Sequence, residues 1–388
     1  MMFMRLASHL HRQGVQVALV DYEDGAMATG KDRDIELIPY FDDRPVLIPI
    51  DAIIVFQSMT PWSIFPSLRI APETNLFFIT TLPANFYPVL PGFLRNKMYE
   101  GGTIAKFFWH TLLRNEYGIA KRFLDLIESK NAHAILDTDI VCNLKQSLGA
   151  ALPQPKLLPL FSDDTHSNGF LGKTRLNTDV LTLGWVGRLA DFKITILNRV
   201  LLDAYEYASA HSQKIEFTVV GSGEYETLLA DLKSDFFTIV KIPSVTPAEL
   251  NGFLLKLDML FAMGTTALEG AKLGVPTVRL DYSYSKIPEG YRYKFFHEIQ
   301  GYSMGERIDS DCFRNGTHLF KDIMCVLRDG REELSQKGYD FYHAHHTIAN
   351  SARLLMEYIG GSSLRWKDLS ERGLLNSFLF DFWKNLRK

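Results

Sequence analysis

Three short stretches combine residue types that can hold an anion and steady charge on a leaving group. In residues 263–277, MGTTALEGAKLGVPT, a strand is predicted to stop at Gly264 and a short helix to follow, with Thr265 or Thr266 placed to cap it. Unpaired N–H groups and the positive end of the helix dipole converge at such a start, which suits a phosphate. A plainer reading fits the same residues. The run from Thr266 to Glu269 has capping-box spacing, in which Glu269 would return a bond to the backbone. The second stretch, GWVGRLADFK, sets Gly187, Arg188 and Lys193 just past a predicted strand. Either cation alone reads as a solvated surface charge; together, opposite a helix start, they can neutralise a diphosphate. The third, VVGSGEYE, ends a strand in Gly221, Ser222 and Gly223, a turn that lets backbone approach a ligand closely.

These stretches act together only if a parallel sheet gives them a common edge. From residue 179 the pattern alternates: strand LTLGWVG, helix 193–212, strand KIEFTVVG, helix 225–233, strand FFTIVKI, helix 247–257, strand DMLFAM, a short helix, then strand TVRLD. That order predicts a parallel sheet covered by helices, with ligands at the C-terminal ends of its strands. Upstream, Met2, Leu6 and Leu10 mark one helical face closed by Gly14, followed by strands in VQVALVDY, DAIIVFQ, NLFFITT and AHAILD and a helix at 118–130. This outlines a second α/β domain. It opens on a helix, so its usual first strand and glycine loop are expected to be missing. The division predicted is 1–155, a linker at 156–178, a second domain at 179–345 and a helical tail at 346–388. The proline-rich and aromatic residues 80–102 read as a binding loop or a packed excursion. The tail mixes bulky apolar with basic residues, which suits packing on the body or contact with an anionic membrane face.

The composition narrows the class. Of 388 residues, 46% are hydrophobic and 22% charged, as in a globular protein of two or three domains, and the net charge of −3 gives no general attraction for nucleic acid. Any anion must be held locally. Cys142, Cys312 and Cys325 suggest neither a disulfide scaffold nor a cysteine zinc site, and His343, His345 and His346 are spread around a helix rather than along one face. No apolar run reaches the roughly 18–20 residues of a membrane span, and no signal-peptide core is visible. A cytoplasmic protein is expected. Walker and nucleophile-elbow patterns are absent.

In order along the chain, GRLADFK, FTVVGSGEYE and VTPAELNGFLLKLDMLFAMGTTALEGAKLGVPT resemble the C-terminal donor domain of GT-B glycosyltransferases, α/β proteins with two Rossmann-like domains facing across a cleft. The motif likeness spans residues 181–281; the remainder is similar in architecture. The resemblance implies that Arg188 and Lys193 contact the donor diphosphate and stabilise its departure. It places Gly187, Gly221, Ser222 and Gly223 in the donor site, gives the phosphates the amides of Gly264, Thr265 and Thr266, and gives the ribose hydroxyls Glu269. It implies no metal and no other cofactor. The expected partners are a nucleotide-diphosphate sugar, a saccharide or lipid-linked saccharide acceptor, and the inner membrane face as a peripheral surface, with no nucleic acid.

One departure stands out: retaining members often carry a further glutamate eight residues earlier, where this chain has Phe261. Arg95 and Lys97 are candidates for an acceptor phosphate, and Tyr282 or Tyr284 for stacking on a sugar. Asp21, Glu23 and Asp24 are candidates for a general base, whereas His110 reads as a core or interface histidine. The function implied is glycosyl transfer in bacterial surface polysaccharide assembly of the O-antigen or capsule type. Its rivals are a sugar-nucleotide 2-epimerase of the same fold and a non-catalytic nucleotide-sugar-binding scaffold.

Overall fold

The structure, a computed structural model, describes residues 2–59, 64, 66–87, 107–108, 110–162 and 179–377. The chain divides into two compact units, Met1–Leu158 with Ile348–Lys388, and Pro159–Thr347. In the first, α1 (Met2–Arg12) buries Leu6 and Leu10 and is closed by Gly14 at φ +85°. Strands β1 (Ala18–Asp21) and β2 (Glu36–Pro39) pair in parallel, with α2 (Ala26–Gly30) between them in the chain. So do β3 (Val46–Leu47) and β5 (Leu68–Arg69). Strands β4 (Ile53–Gln57), β6 (Asn75–Thr80) and β7 (His133–Ile135) form a three-stranded parallel sheet with β6 at its centre. Leu76, Phe77, Phe78 and Ile79 of β6 are wholly buried, the continuous apolar run expected of a strand covered on both faces. Helices α3 (Arg114–Ser129) and α4 (Thr138–Leu148) flank β7 in the chain, the latter capped by the Asp137 carboxylate, which accepts from Ile140 N at 2.9 Å.

The second unit holds a six-stranded sheet in the order β10-β9-β8-β11-β12-β13. Its elements are β8 (Val180–Val186), α5 (Asp191–His211), β9 (Lys214–Val220), β10 (Phe237–Ile242), α6 (Pro247–Leu254), β11 (Met259–Ala262), α7 (Thr265–Lys272), β12 (Thr277–Arg279), β13 (Lys294–Phe295) and α8 (Phe320–His345). All pairings are parallel except β12 with β13. The helix expected at 225–233 is a single 3₁₀ turn at Glu226–Leu228. Asn198 of α5 takes its place: its amide donates to Leu228 O (2.8 Å) and accepts from Ala230 N (2.9 Å), satisfying backbone that a helix would otherwise pair.

The strand order decides where a ligand would sit. From β8 the chain adds β9 and β10 on one side, then crosses to β11 on the other. The direction therefore reverses between β8 and β11, and open α/β sheets bind ligands beyond the C-terminal ends of the strands at such a reversal.

The chain then returns to the first unit through α9 (Ile348–Gly360) and α10 (Trp366–Glu371). Leu76 N donates to Leu364 O (2.9 Å) and Ser363 N to Lys130 O (2.9 Å), so residues 348–377 are part of that unit rather than a separate tail. Residues 156 and 158 pair with Ile135 of β7 in the first unit, while residues 159–162 belong to the second, which narrows the expected linker. Its residues 163–178, residues 88–102 of the proline-rich stretch with Arg95 and Lys97, and the basic end at 378–388 lie outside the described residues.

Candidate donor site

The loops after β8, β9 and β10 are bound to one another by backbone hydrogen bonds. Gly187 N donates to Val220 O (3.0 Å), Leu189 N to Ser222 O (3.1 Å), and Gly221 N to Ile242 O (2.9 Å). This explains the Gly-Ser-Gly turn differently from its sequence reading. Gly221 has φ +146°, and a Cβ there would lie 1.9 Å from Gly187 O; a Cβ on Gly223 would lie 2.4 Å from Leu189 O. The glycines admit neighbouring backbone, and thereby fix the loop that carries Arg188.

Arg188 is exposed at the end of β8, and Lys193 is half-buried in the first turn of α5. The Lys193 ammonium sits 5.6 Å from the Phe192 ring centroid and 6.0 Å from that of Trp185. Burial, and then the charge of Arg188, hold its pKa below the ordinary lysine value. Neither cation has a carboxylate partner among the described residues. Two positive charges that repel each other without a counter-ion, at the C-terminal edge of a parallel sheet, make a site for an anion.

On the other side of the reversal, only Met263 and Gly264 separate β11 from α7. Gly264 adopts φ +66°, ψ −145°, a conformation confined to glycine. Its N–H donates to Met304 O (2.9 Å), so of the three amides assigned to phosphate this one is already used. Thr265 and Thr266 occupy the first turn, where N–H groups have no acceptor within the helix, and no side chain caps it. The capping-box reading therefore fails. Glu269 instead lies mid-helix: its Oε1 accepts from Ser162 Oγ (2.6 Å), its Oε2 pairs with Lys272 Nζ (2.6 Å), and its side chain keeps 18% exposure. Lys272 stands three residues from Glu269, a spacing the sequence displays; Ser162 is distant in the chain and carried no such signal.

A glycosyltransferase from Rickettsia africae ESF-5, known as a solved structure, superposes on this chain with a TM-score of 0.50 at 12% identity, over 92% of this chain and 93% of its own. The chain has the GT-B fold. WaaG, a glycosyltransferase involved in lipopolysaccharide biosynthesis, aligns at a TM-score of 0.45 and 13% identity over 93% of this chain and 95% of its own. No protein-family model and no curated sequence matches the chain.

Other positions expected to matter in a GT-B chain divide cleanly. Phe261 is wholly buried in β11 and stacks on Phe320 (centroids 5.7 Å apart), so it belongs to the core. Tyr282 and Tyr284 surround Phe192, at 5.7 and 6.1 Å, which brings them beside the residue preceding Lys193. Asp21 is committed to capping α2, accepting from Met27 N at 2.9 Å. Glu23 and Asp24 are exposed. His110 is exposed against the Tyr117 ring (4.9 Å) instead of lying in a core. His346 shares a hydrogen bond with Leu160 O (2.6 Å), and burial pushes its pKa down to about 4. Among the described residues no three His, Cys, Asp or Glu side chains converge as metal ligands, and no helix is long and apolar enough to cross a membrane.

Proposed function

We propose that this chain is a glycosyltransferase that moves a sugar from a nucleotide-diphosphate sugar to a saccharide or lipid-linked saccharide acceptor, in the cytoplasm or at the inner membrane face, during surface polysaccharide assembly. The observation that carries the reading is the pairing of two uncompensated cations, Arg188 and Lys193, with the uncapped start of α7 at the point where the sheet order reverses. As the bond from the anomeric carbon to the diphosphate oxygen breaks, negative charge grows on that oxygen. Fixed cations and N–H donors facing it lower the barrier without reorganising, an electrostatic effect that often dominates catalysis. The acceptor hydroxyl supplies the new bond and gives up a proton to a base not yet assigned.

The test begins with thermal stabilisation by UDP, GDP, ADP and CDP, since a ligand of the folded state raises its stability. One diphosphate should stabilise the protein, and Arg188→Ala should abolish the effect. No stabilisation by any of the four would defeat the donor-site reading. Sugar transfer requiring an added acceptor supports the transferase, whereas turnover of the sugar nucleotide alone would indicate an epimerase. Binding without turnover would favour a scaffold, the reading to which core-bound Phe261 gives weight.

A further inference from the structure

Glu269 is held unusually firmly for a residue expected to meet a ligand. Ser162, fully buried, donates its hydroxyl to Glu269 Oε1 at 2.6 Å, and Lys272, only 6% exposed, sets Nζ 2.6 Å from Oε2 and donates to Ser162 Oγ at 3.2 Å. The order of donors makes the triangle directional: because the lysine occupies an acceptor site on the serine oxygen, the serine proton is left to point at the carboxylate. Ser162 is itself fixed, bridged to Thr347 as a parallel strand pair, with its N–H donating to His346 O at 3.4 Å.

Two further facts give the triangle a direction in the site. Each carboxylate oxygen has about two acceptor positions, and the two contacts described take one from each. Glu269 also follows Thr265 by four residues, so both lie on one face of α7, about one 5.4 Å turn apart. A diphosphate received by the Thr265 amide would bring the adjoining ribose to the next turn, against a carboxylate with an acceptor position left on each oxygen.

We propose that Ser162 and Lys272 are positioning residues: the family resemblance already gives Glu269 the ribose hydroxyls, and these two neighbours lock its carboxylate so that both oxygens stay turned to the vicinal 2′- and 3′-hydroxyls. This rests on the glycosyltransferase reading and assigns the recognition of a ribose, as against a deoxyribose, to three side chains acting as a unit. An unanchored glutamate would have to lose rotamer freedom on binding; an anchored one does not.

The experiment is calorimetric titration of the best of the four ribonucleoside diphosphates and of its 2′,3′-dideoxy analogue into the full chain. The wild type should prefer the ribose form by about tenfold or more, as expected for charge-assisted hydrogen bonds. In Ser162→Ala and Lys272→Met that preference should fall below about threefold, with affinity for the dideoxy analogue unchanged, and Ser162→Thr should restore it. A purely structural role would weaken both ligands alike and leave the ratio intact, which would overturn the proposal. Lys272→Met removes a buried charge, so if it does not fold, Ser162→Ala decides alone. A wild type that binds no diphosphate refutes the functional reading and this inference with it. A wild type that prefers the ribose form, with variants that keep the preference, refutes only the inference.

Discussion

Replacing Lys193 with methionine separates the contribution of this residue to binding from its contribution to folding. Methionine keeps an unbranched apolar stem and removes the charge. That charge is desolvated and faces Arg188, with no carboxylate partner among the described residues. Its compensation is small, because ring centroids at 5.6 and 6.0 Å lie near the outer limit of a cation–π contact, where each is worth about 0.5 kcal/mol. The variant should therefore be at least as stable as the wild type without ligand. With a diphosphate the balance reverses: loss of one charge-assisted contact costs about 1.5–3 kcal/mol, or roughly 10–150-fold in Kd.

Urea unfolding with and without the diphosphate reads both quantities, and pH supplies a second check. The folded pKa of Lys193 lies below its ordinary 10.5, so between those values the unfolded chain binds more protons and stability rises with pH. Below the folded pKa the penalty is fully present. The alkaline rise should be smaller in Lys193→Met. The reasoning is refuted if the variant loses more than about 1 kcal/mol without ligand while its diphosphate Kd stays within threefold, for Lys193 would then be structural.

Three other outcomes follow from the geometry. Gly221→Ala places a Cβ against the Gly187 carbonyl, which cannot yield, and should lower stability by about 3 kcal/mol or more in denaturant unfolding. Gly264→Ala meets no atom within 4 Å, so its cost is conformational alone, about 1–3 kcal/mol in unfolding free energy, accompanied by weaker diphosphate binding as the entry to α7 shifts. An unchanged melting temperature would contradict this. His346, neutral in the folded chain with a pKa of about 4 against 6.5, makes the unfolded state the better proton binder between those values, so stability should fall by on the order of 3 kcal/mol as pH drops from 6.5 to 4. His346→Phe should flatten that slope, at the cost of the bond to Leu160 O, in acid titrations followed by circular dichroism.

The second unit was readable because its strands are apolar, the first three of them six or seven residues long, and separated by helical spacing, so alternation alone predicts a parallel sheet. The reversal between β8 and β11 was not, since strand order depends on which side each crossover takes. Arg188 and Lys193 could be singled out from type and spacing, but that neither has a carboxylate partner among the described residues is a property of the fold. Glu269 shows the limit most clearly. Local spacing assigned it to a capping box; a serine far away in the chain and a lysine one turn on hold it instead, and local propensity cannot weigh a distant partner. The helix expected at 225–233 failed for a similar reason, Asn198 having supplied the hydrogen bonds from another element.

Under the proposed function, Arg188, Lys193 and the start of α7 would serve a leaving diphosphate with no carboxylate at position 261, and the core shows why none can simply be placed there. Phe261 is wholly enclosed, with Phe217, Tyr293 and Phe320 around its ring. A glutamate in its place would be a buried charge without a partner, several kcal/mol costlier than the phenylalanine. Position 261 lies within β11 in register with Val278, so the pleat fixes the face its side chain takes and a glutamate could not turn outward without breaking that pairing. In the proposed transferase, polar contacts to the sugar would therefore come from elsewhere. The segment after β12 is the candidate for that role, because Tyr282 and Tyr284 gather around Phe192 next to Lys193, and Arg307 lies over the Tyr284 ring at 5.4 Å. On the proposed reading, the stereochemical course of transfer would be set by groups near that segment rather than by a carboxylate in the strand.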